Sequence, residues 1–141
     1  MEQENKVILL AGPTASGKSK LAIQLAKHFN GEIINADSMQ IYKEISILTS
    51  RPTLRDTKVI RHHLYGFNSV SKKFSTGYWL NMTLNKIEEQ WSSKKTPVIV
   101  GGSGLYFKAL TDGLVKIPDI PNNLRTEVRK LHKKVDQIFF F

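Results

Sequence analysis

Eight consecutive residues, Gly12-Pro13-Thr14-Ala15-Ser16-Gly17-Lys18-Ser19, match the spacing G-x-x-x-x-G-K-[ST] in full. Each residue type in it has a task. The glycines let backbone N–H groups converge on phosphate oxygens, and the amino end of a following helix adds its dipole. Lys18 supplies a point charge, and the Ser19 hydroxyl is the expected ligand for Mg²⁺. From average residue usage, a chance match in a chain this long arises roughly five times in a thousand. An ordinary glycine turn is the plain alternative, and the strand-loop-helix setting argues against it. The chain is therefore expected to hold a di- or triphosphate with magnesium.

Other groups could do chemistry nearby. Asp37-Ser38 follows an apolar segment, and Asp37 could reach the magnesium shell through water, take a proton from a nucleophile, or merely cap a turn. Gly101-Gly102-Ser103-Gly104 is a second glycine-rich turn. His62-His63 has the look of a metal pair, but neighbours on a strand point to opposite faces and cannot chelate together, so structural histidines are expected. Arg125, Arg129, Lys130, Lys133 and Lys134 fit either nucleic-acid phosphates or a solvated helix face. Tyr42, Trp79 and Tyr106 could stack on a base, though isolated aromatics more often pack a core.

These groups need elements to position them. Lys6 to Ala11 is a short apolar run ended by glycine, read as a strand buried on both faces. Leu21, Ala22, Leu25, Ala26 and Phe29 recur at helical spacing up to Asn30-Gly31, a stop signal. Glu32 to Asp37 reads as a second buried strand, so the chain opens as βαβ with a right-handed crossover. From Tyr42 to Thr57 the pattern weakens to loop with one short helix. Arg61 to Phe67 reads as another short strand. Ser75 or Thr76 caps a helix with Leu80, Leu84, Ile87 and Trp91 on one face. Pro97-Val98-Ile99-Val100 is a further strand, followed by a helix through Leu105 to Leu110. Beyond Pro118 and Pro121, Leu124, Val128, Leu131 and Val135 form a helical stripe. In an open parallel sheet, ligands bind beyond the carboxyl ends of strands. The loop after the first strand, Asp37-Ser38, and the turn at 101–104 should then face one cleft.

Composition narrows the setting. A chain of 141 residues with 40% apolar content can bury a core. It has no cysteine, which removes disulfides and thiolate chemistry and fits a reducing compartment, so a cytoplasmic location is expected. The amino terminus is acidic and polar, unlike a signal peptide, and no apolar run reaches membrane-spanning length. No membrane partner is expected. The net charge of +9 gathers late: residues 1–60 hold eight basic and six acidic residues, and 61–141 hold thirteen and six. The second part is the more probable polyanion-facing surface.

Taken together, four blocks in order resemble the tRNA dimethylallyltransferase family, the P-loop prenyltransferases that modify adenosine beside the anticodon. They are the turn at 12–19, Asn35-Ala36-Asp37-Ser38-Met39-Gln40-Ile41-Tyr42-Lys43, His62-His63-Leu64, and Val100-Gly101-Gly102-Ser103-Gly104-Leu105-Tyr106. The resemblance runs to about Arg129. It implies an α/β fold, a P-loop NTPase-like three-layer core with a parallel sheet, over residues 1–119, and the start of a helical tRNA-binding insertion over 120–141. It also implies that the turn grips the diphosphate of dimethylallyl diphosphate with Mg²⁺. Asp37 would be the general base toward the adenine exocyclic amine, while Lys18, Thr14 and Ser19 stabilise departing pyrophosphate. Asp37, Ser38, Met39 and Gln40 would touch the flipped adenosine and its neighbours, with Ser103 and Arg125 as further tRNA contacts. The expected partners are the tRNA anticodon loop and dimethylallyl diphosphate, with the protein a monomer.

Departures accompany the resemblance. Family members are longer, with a complete insertion, a Gln-Arg-x-x-Arg segment, a returning core element and a later arginine for the diphosphate. The chain is expected to end inside the insertion, as a truncated or frameshifted reading frame whose last residues are Phe139-Phe140-Phe141. Three other readings stay open: a small nucleotide or metabolite kinase, a non-catalytic phosphate or nucleic-acid binding fragment, and prenylation of free adenine nucleotide.

Overall fold

The computed structural model describes residues 5–115, 118 and 120–134. Val135 and Phe139 to Phe141 lie outside them. Four strands form one parallel sheet in the order β1-β4-β2-β3: β1 (Ile8–Ala11), β2 (Gly31–Asn35), β3 (His62–His63) and β4 (Thr96–Gly101). Between and after them run α1 (Lys18–His28), α2 (Leu54–Val59), α3 (Thr76–Ser92), α4 (Gly104–Asp112) and α5 (Asn122–Lys134). Strand β4 sits at the centre, pairing Ile8 to Ala11 with Val98 to Gly101 on one side and Gly31 to Asn35 with Thr96 to Val100 on the other.

The sheet is covered on both faces, giving three layers as expected for a parallel sheet. On one face α1 lays Ala22 and Ala26 over Ile33, Val98 and Val100. Those alanines are small enough to let the helix approach the sheet closely. On the other face, α3 and α4 bring Trp79, Ile87 and Tyr106 against Ile34, Ala36 and Ile99. The Trp79 and Tyr106 rings stack with centroids 4.2 Å apart, so both serve as core packing.

Several expected details come out differently. Strand β1 is not buried on both faces: among the described residues it pairs only with β4, and Leu9 is 43% exposed. Its open edge explains the exposure. On α1 the inward residues are the two alanines, while Leu21 and Phe29 are exposed. On α3 the inward face carries Trp79, Thr83, Ile87 and Gln90, and Leu84 is exposed. The third strand stops at His63, because Leu64 takes φ 62 and Gly66 φ 53, turning the chain out of the sheet. The short helix in the weakly patterned stretch is α2, held by a capping box in which Thr53 and Asp56 exchange bonds.

The two histidines are structural, on opposite faces. His62 donates from Nδ1 to the Ile60 carbonyl at 2.8 Å and stands edge-on to Tyr65. His63 Nε2 lies 2.5 Å from Glu32 Oε2, and Lys95 Nζ donates to the other oxygen of the same buried carboxylate. Burial pushes the Glu32 carboxyl up, but the bonds and charges of Lys95 and His63 outweigh it and hold the group below its ordinary 4.5. A carboxyl depressed in the folded state contributes stability above its unfolded pKa, and that stability is lost as pH falls through the folded value. Urea midpoints measured from neutral pH downward are therefore expected to fall below about pH 4.5, and Glu32→Gln, less stable at neutral pH, to converge on wild type in acid.

Candidate functional site

The turn at 12–19 joins β1 to α1 at the carboxyl edge of the sheet. Gly12 N–H donates to the Gly101 carbonyl at 3.3 Å, fastening the start of the turn to the end of β4. Ala15 at φ 61 and Gly17 at φ 83 are left-handed, so the backbone curls on itself before the helix begins. Gly17 is the residue before α1 and supplies no side-chain cap, and the first turn of α1 holds no acidic residue. The first N–H groups of the helix thus face the turn with no side chain capping them, the arrangement that binds anions. Ser16 Oγ donates to the Pro13 carbonyl at 2.8 Å, and Lys18 Nζ donates to the same carbonyl and stands 3.4 Å from Ser16 Oγ. The ammonium is therefore folded over the turn.

Asp37 follows β2, one position beyond Ala36, whose N–H still bonds the Val100 carbonyl at 2.8 Å. Asp37 Oδ1 accepts from Met39 N–H at 2.9 Å, and Ser38 N–H donates to Ser103 Oγ at 2.8 Å. Ser103 in turn leads into α4, and its N–H reaches the Ala36 carbonyl at 3.1 Å. The turns after β1 and β2 are thus each hydrogen-bonded to the turn after β4, while the cavity there is lined from the turns after β2 and β4 and by no residue of 12–19. Because β4 lies between β1 and β2, the turn at 12–19 and Asp37 leave the sheet about 10 Å apart, two strand spacings.

A cavity of about 220 Å³ opens at Ser38, the residue after Asp37, walled also by Tyr42, Phe74, Ser103, Leu105 and Tyr106. Burial, then the neighbouring Tyr42 and the Asp37 charge, pushes the Tyr106 phenol up to about 12. It stays a neutral hydroxyl at physiological pH. Gln40 is committed elsewhere, donating from Nε2 to the Thr49 carbonyl at 2.8 Å, while Met39 is exposed. Arg125 stands apart on α5, a helix whose Leu124, Val128 and Leu131 stripe is half exposed and which, among the described residues, packs extensively on no other element. The structure gathers Gly12 to Ser19, Asp37, Ser38 and Ser103, and leaves Arg125 outside the cluster.

The oxygen donor at the turn is hard: the exposed Ser19 hydroxyl in the first turn of α1. No group of three or more His, Cys, Asp or Glu gathers among the described residues. A donor set this sparse suits Mg²⁺, which keeps several waters and takes phosphate oxygens for much of its shell. One contributor was not singled out from the sequence. Asn35, wholly buried at the end of β2, bonds both the N–H and the carbonyl of Asp37. Its signal was a polar side chain closing a buried strand two residues before the carboxylate.

The geometry has counterparts. The model of a family described as IPP transferase matches residues 40–139. A tRNA dimethylallyltransferase of Pelagibacter ubique is 55% identical over all 141 residues, which span 45% of that protein. One from Rhizobium rhizogenes is 47% identical over 94% of this chain and 45% of its own length. Among solved structures, the full-length tRNA isopentenylpyrophosphate transferase of Bacillus halodurans superposes with a TM-score of 0.77 at 30% identity, over 94% of this chain and 44% of that one. A eukaryotic dimethylallyltransferase acting on tRNA gives 0.77 at 34% identity, over 94% and 32%. The chain spans less than half the length of these relatives. With the family model covering well over half of it, and solved relatives superposing on the same sheet, the chain belongs to the IPP transferase family.

Proposed function

We propose that this site transfers a dimethylallyl group from dimethylallyl diphosphate to the N6 amine of the adenosine beside the anticodon of tRNA, releasing pyrophosphate. The observation that carries the reading is the union of phosphate turn and Asp37 loop through the β4 turn, by the Gly12 to Gly101 and Ser38 to Ser103 bonds. The names of the relatives above supply the substrate class. The free N–H groups of the turn, with Thr14 and the Lys18 ammonium, receive the diphosphate oxygens. There they stabilise the charge that grows as the allylic C–O bond breaks. Mg²⁺ held by the Ser19 hydroxyl and the diphosphate would supply further neutralisation of that charge.

The acceptor side belongs to Asp37. As the N6 nitrogen bonds the allylic carbon, its proton passes to the Asp37 carboxylate and pyrophosphate departs with the C–O electron pair. The cavity at Ser38 offers the rings of Tyr42 and Phe74, faces on which a flat base or an allyl group stacks. Ser38, Met39, Gln40 and Ser103 border the entering nucleotide, and the basic face of α5, with Arg125, meets tRNA phosphates. The protein acts as a monomer in the cytoplasm on this reading. No helix among the described residues is long and apolar enough to cross a membrane.

Labelled dimethylallyl diphosphate incubated with the purified chain, Mg²⁺ and unmodified tRNA tests the proposal. Label in acid-precipitable tRNA is the expected result. Phosphorylation of a small acceptor from ATP, with no label in tRNA, would replace it with a kinase.

A further inference from the structure

We infer that Asn35 is the positioning residue of Asp37, the one side chain that sets how the proton-accepting carboxylate leaves the sheet; this rests on the role proposed for Asp37 above. The Asn35 carboxamide is wholly buried and every bond it makes is to backbone. Oδ1 accepts the Asp37 N–H at 2.9 Å, and Nδ2 donates to the Asp37 carbonyl at 2.9 Å. One planar group therefore clasps the residue's peptide groups on both sides. The second Nδ2 hydrogen goes to the Leu64 carbonyl at 3.0 Å. Leu64 is held in the left-handed region at φ 62, a conformation costly for leucine unless its surroundings impose it. The Asn35 carbonyl, for its part, accepts the Trp79 indole N–H at 2.8 Å.

The residue thus ties the end of β2, the turn after β3 and the core of α3 to the backbone that carries Asp37. None of its bonds touches the turn at 12–19, which hangs on β1 and β4. Loss of Asn35 should then disorder the carboxylate side of the site and spare the phosphate side. The donor half of the carboxamide is the part that matters. Asn35→Asp keeps the shape and the Oδ1 acceptor but turns an oxygen toward two carbonyl oxygens.

Amide hydrogen exchange on the chain and on Asn35→Asp, with Asn35→Ala alongside, tests this. In Asn35→Asp the amides of Asp37 and Ser38 are expected to lose about a hundredfold more protection than those of Ile34 and Ile99. Affinity for pyrophosphate with Mg²⁺ should stay within about threefold of wild type. In the transfer assay kcat should fall about tenfold or more with KM for dimethylallyl diphosphate within about threefold. Equal loss of protection across Ile34, Asp37 and Ile99 would make Asn35 an ordinary core residue, and an unchanged Asp37 amide would overturn the clasp. The exchange comparison needs no turnover and so decides the point by itself. Full transfer by Asp37→Ala, in contrast, would remove the base reading while leaving the exchange result intact.

Discussion

Asp37→Ala is expected to lower prenyl transfer about a thousandfold, within the range that a positioned general base contributes, while pyrophosphate with Mg²⁺ still binds within about threefold. The separation of the two effects follows from the sheet. Asp37 leaves β2 and the phosphate turn leaves β1, with β4 between them, so removing the carboxylate takes nothing from the turn. Asp37 Oδ1 also accepts from Met39 N–H, and Asp37→Asn preserves that acceptor. If the carboxylate takes the proton from N6, Asn must fail as badly as Ala, because an amide holds the loop but cannot act as base. Recovery of transfer in Asp37→Asn would reduce Asp37 to a loop cap. Steady-state rates for the three proteins, with binding by calorimetry, distinguish these outcomes.

The second large effect is structural. Gly101 closes β4 where it passes the end of β2, and a Cβ there would lie 2.1 Å from the carbonyl carbon and oxygen of Ala36 and 2.7 Å from the Asp37 nitrogen. Those are backbone atoms that cannot swing aside. Gly101→Ala is expected to cost about 3 kcal/mol or more, lowering Tm by about 10 °C, and to shift the backbone that carries Asp37. Gly104 is the matched control. A Cβ at that position meets nothing within 4 Å, so Gly104→Ala should melt within about 2 °C of wild type. Equal melting of the two variants would contradict the close passage of β4 over Ala36.

The contrast between those glycines shows what could be read in advance. The strand-turn-helix setting of residues 12–19 was legible because its signals are local: the glycines fall within eight residues, and the flanking strand and helix are marked by their own periodicity. Asp37 and the turn at Ser103 followed from one topological rule about strand ends, and the four-block resemblance assigned them roles. The inward face of α3 was read only in part because periodicity favours large apolar residues. Ile87 is buried and Leu80 and Trp91 pack against the core as read, but Leu84 is exposed where the helix buries Trp79, Thr83 and Gln90, and the last two have polar atoms with no partner among the described residues. Strand β1 read as fully buried because an apolar run does not disclose which strand lies at the edge. The short reach of β3 was hidden as well, since a left-handed leucine at position 64 has no signature of its own. Asn35 escaped for a related reason: its bonds to Asp37, Leu64 and Trp79 join residues up to 44 positions apart, a relation only the folded chain makes.

What remains to be weighed is the cradle itself. Titration of the isotope-labelled chain with pyrophosphate and Mg²⁺, followed through its backbone amide resonances, measures it directly. The account predicts saturable binding that moves the amides of Gly12 to Ser19 first, with smaller shifts at Ser38 and Ser103, and an affinity about tenfold or more weaker in Lys18→Ala. Saturable binding that moves amides elsewhere and leaves those of residues 12–19 in place would contradict it.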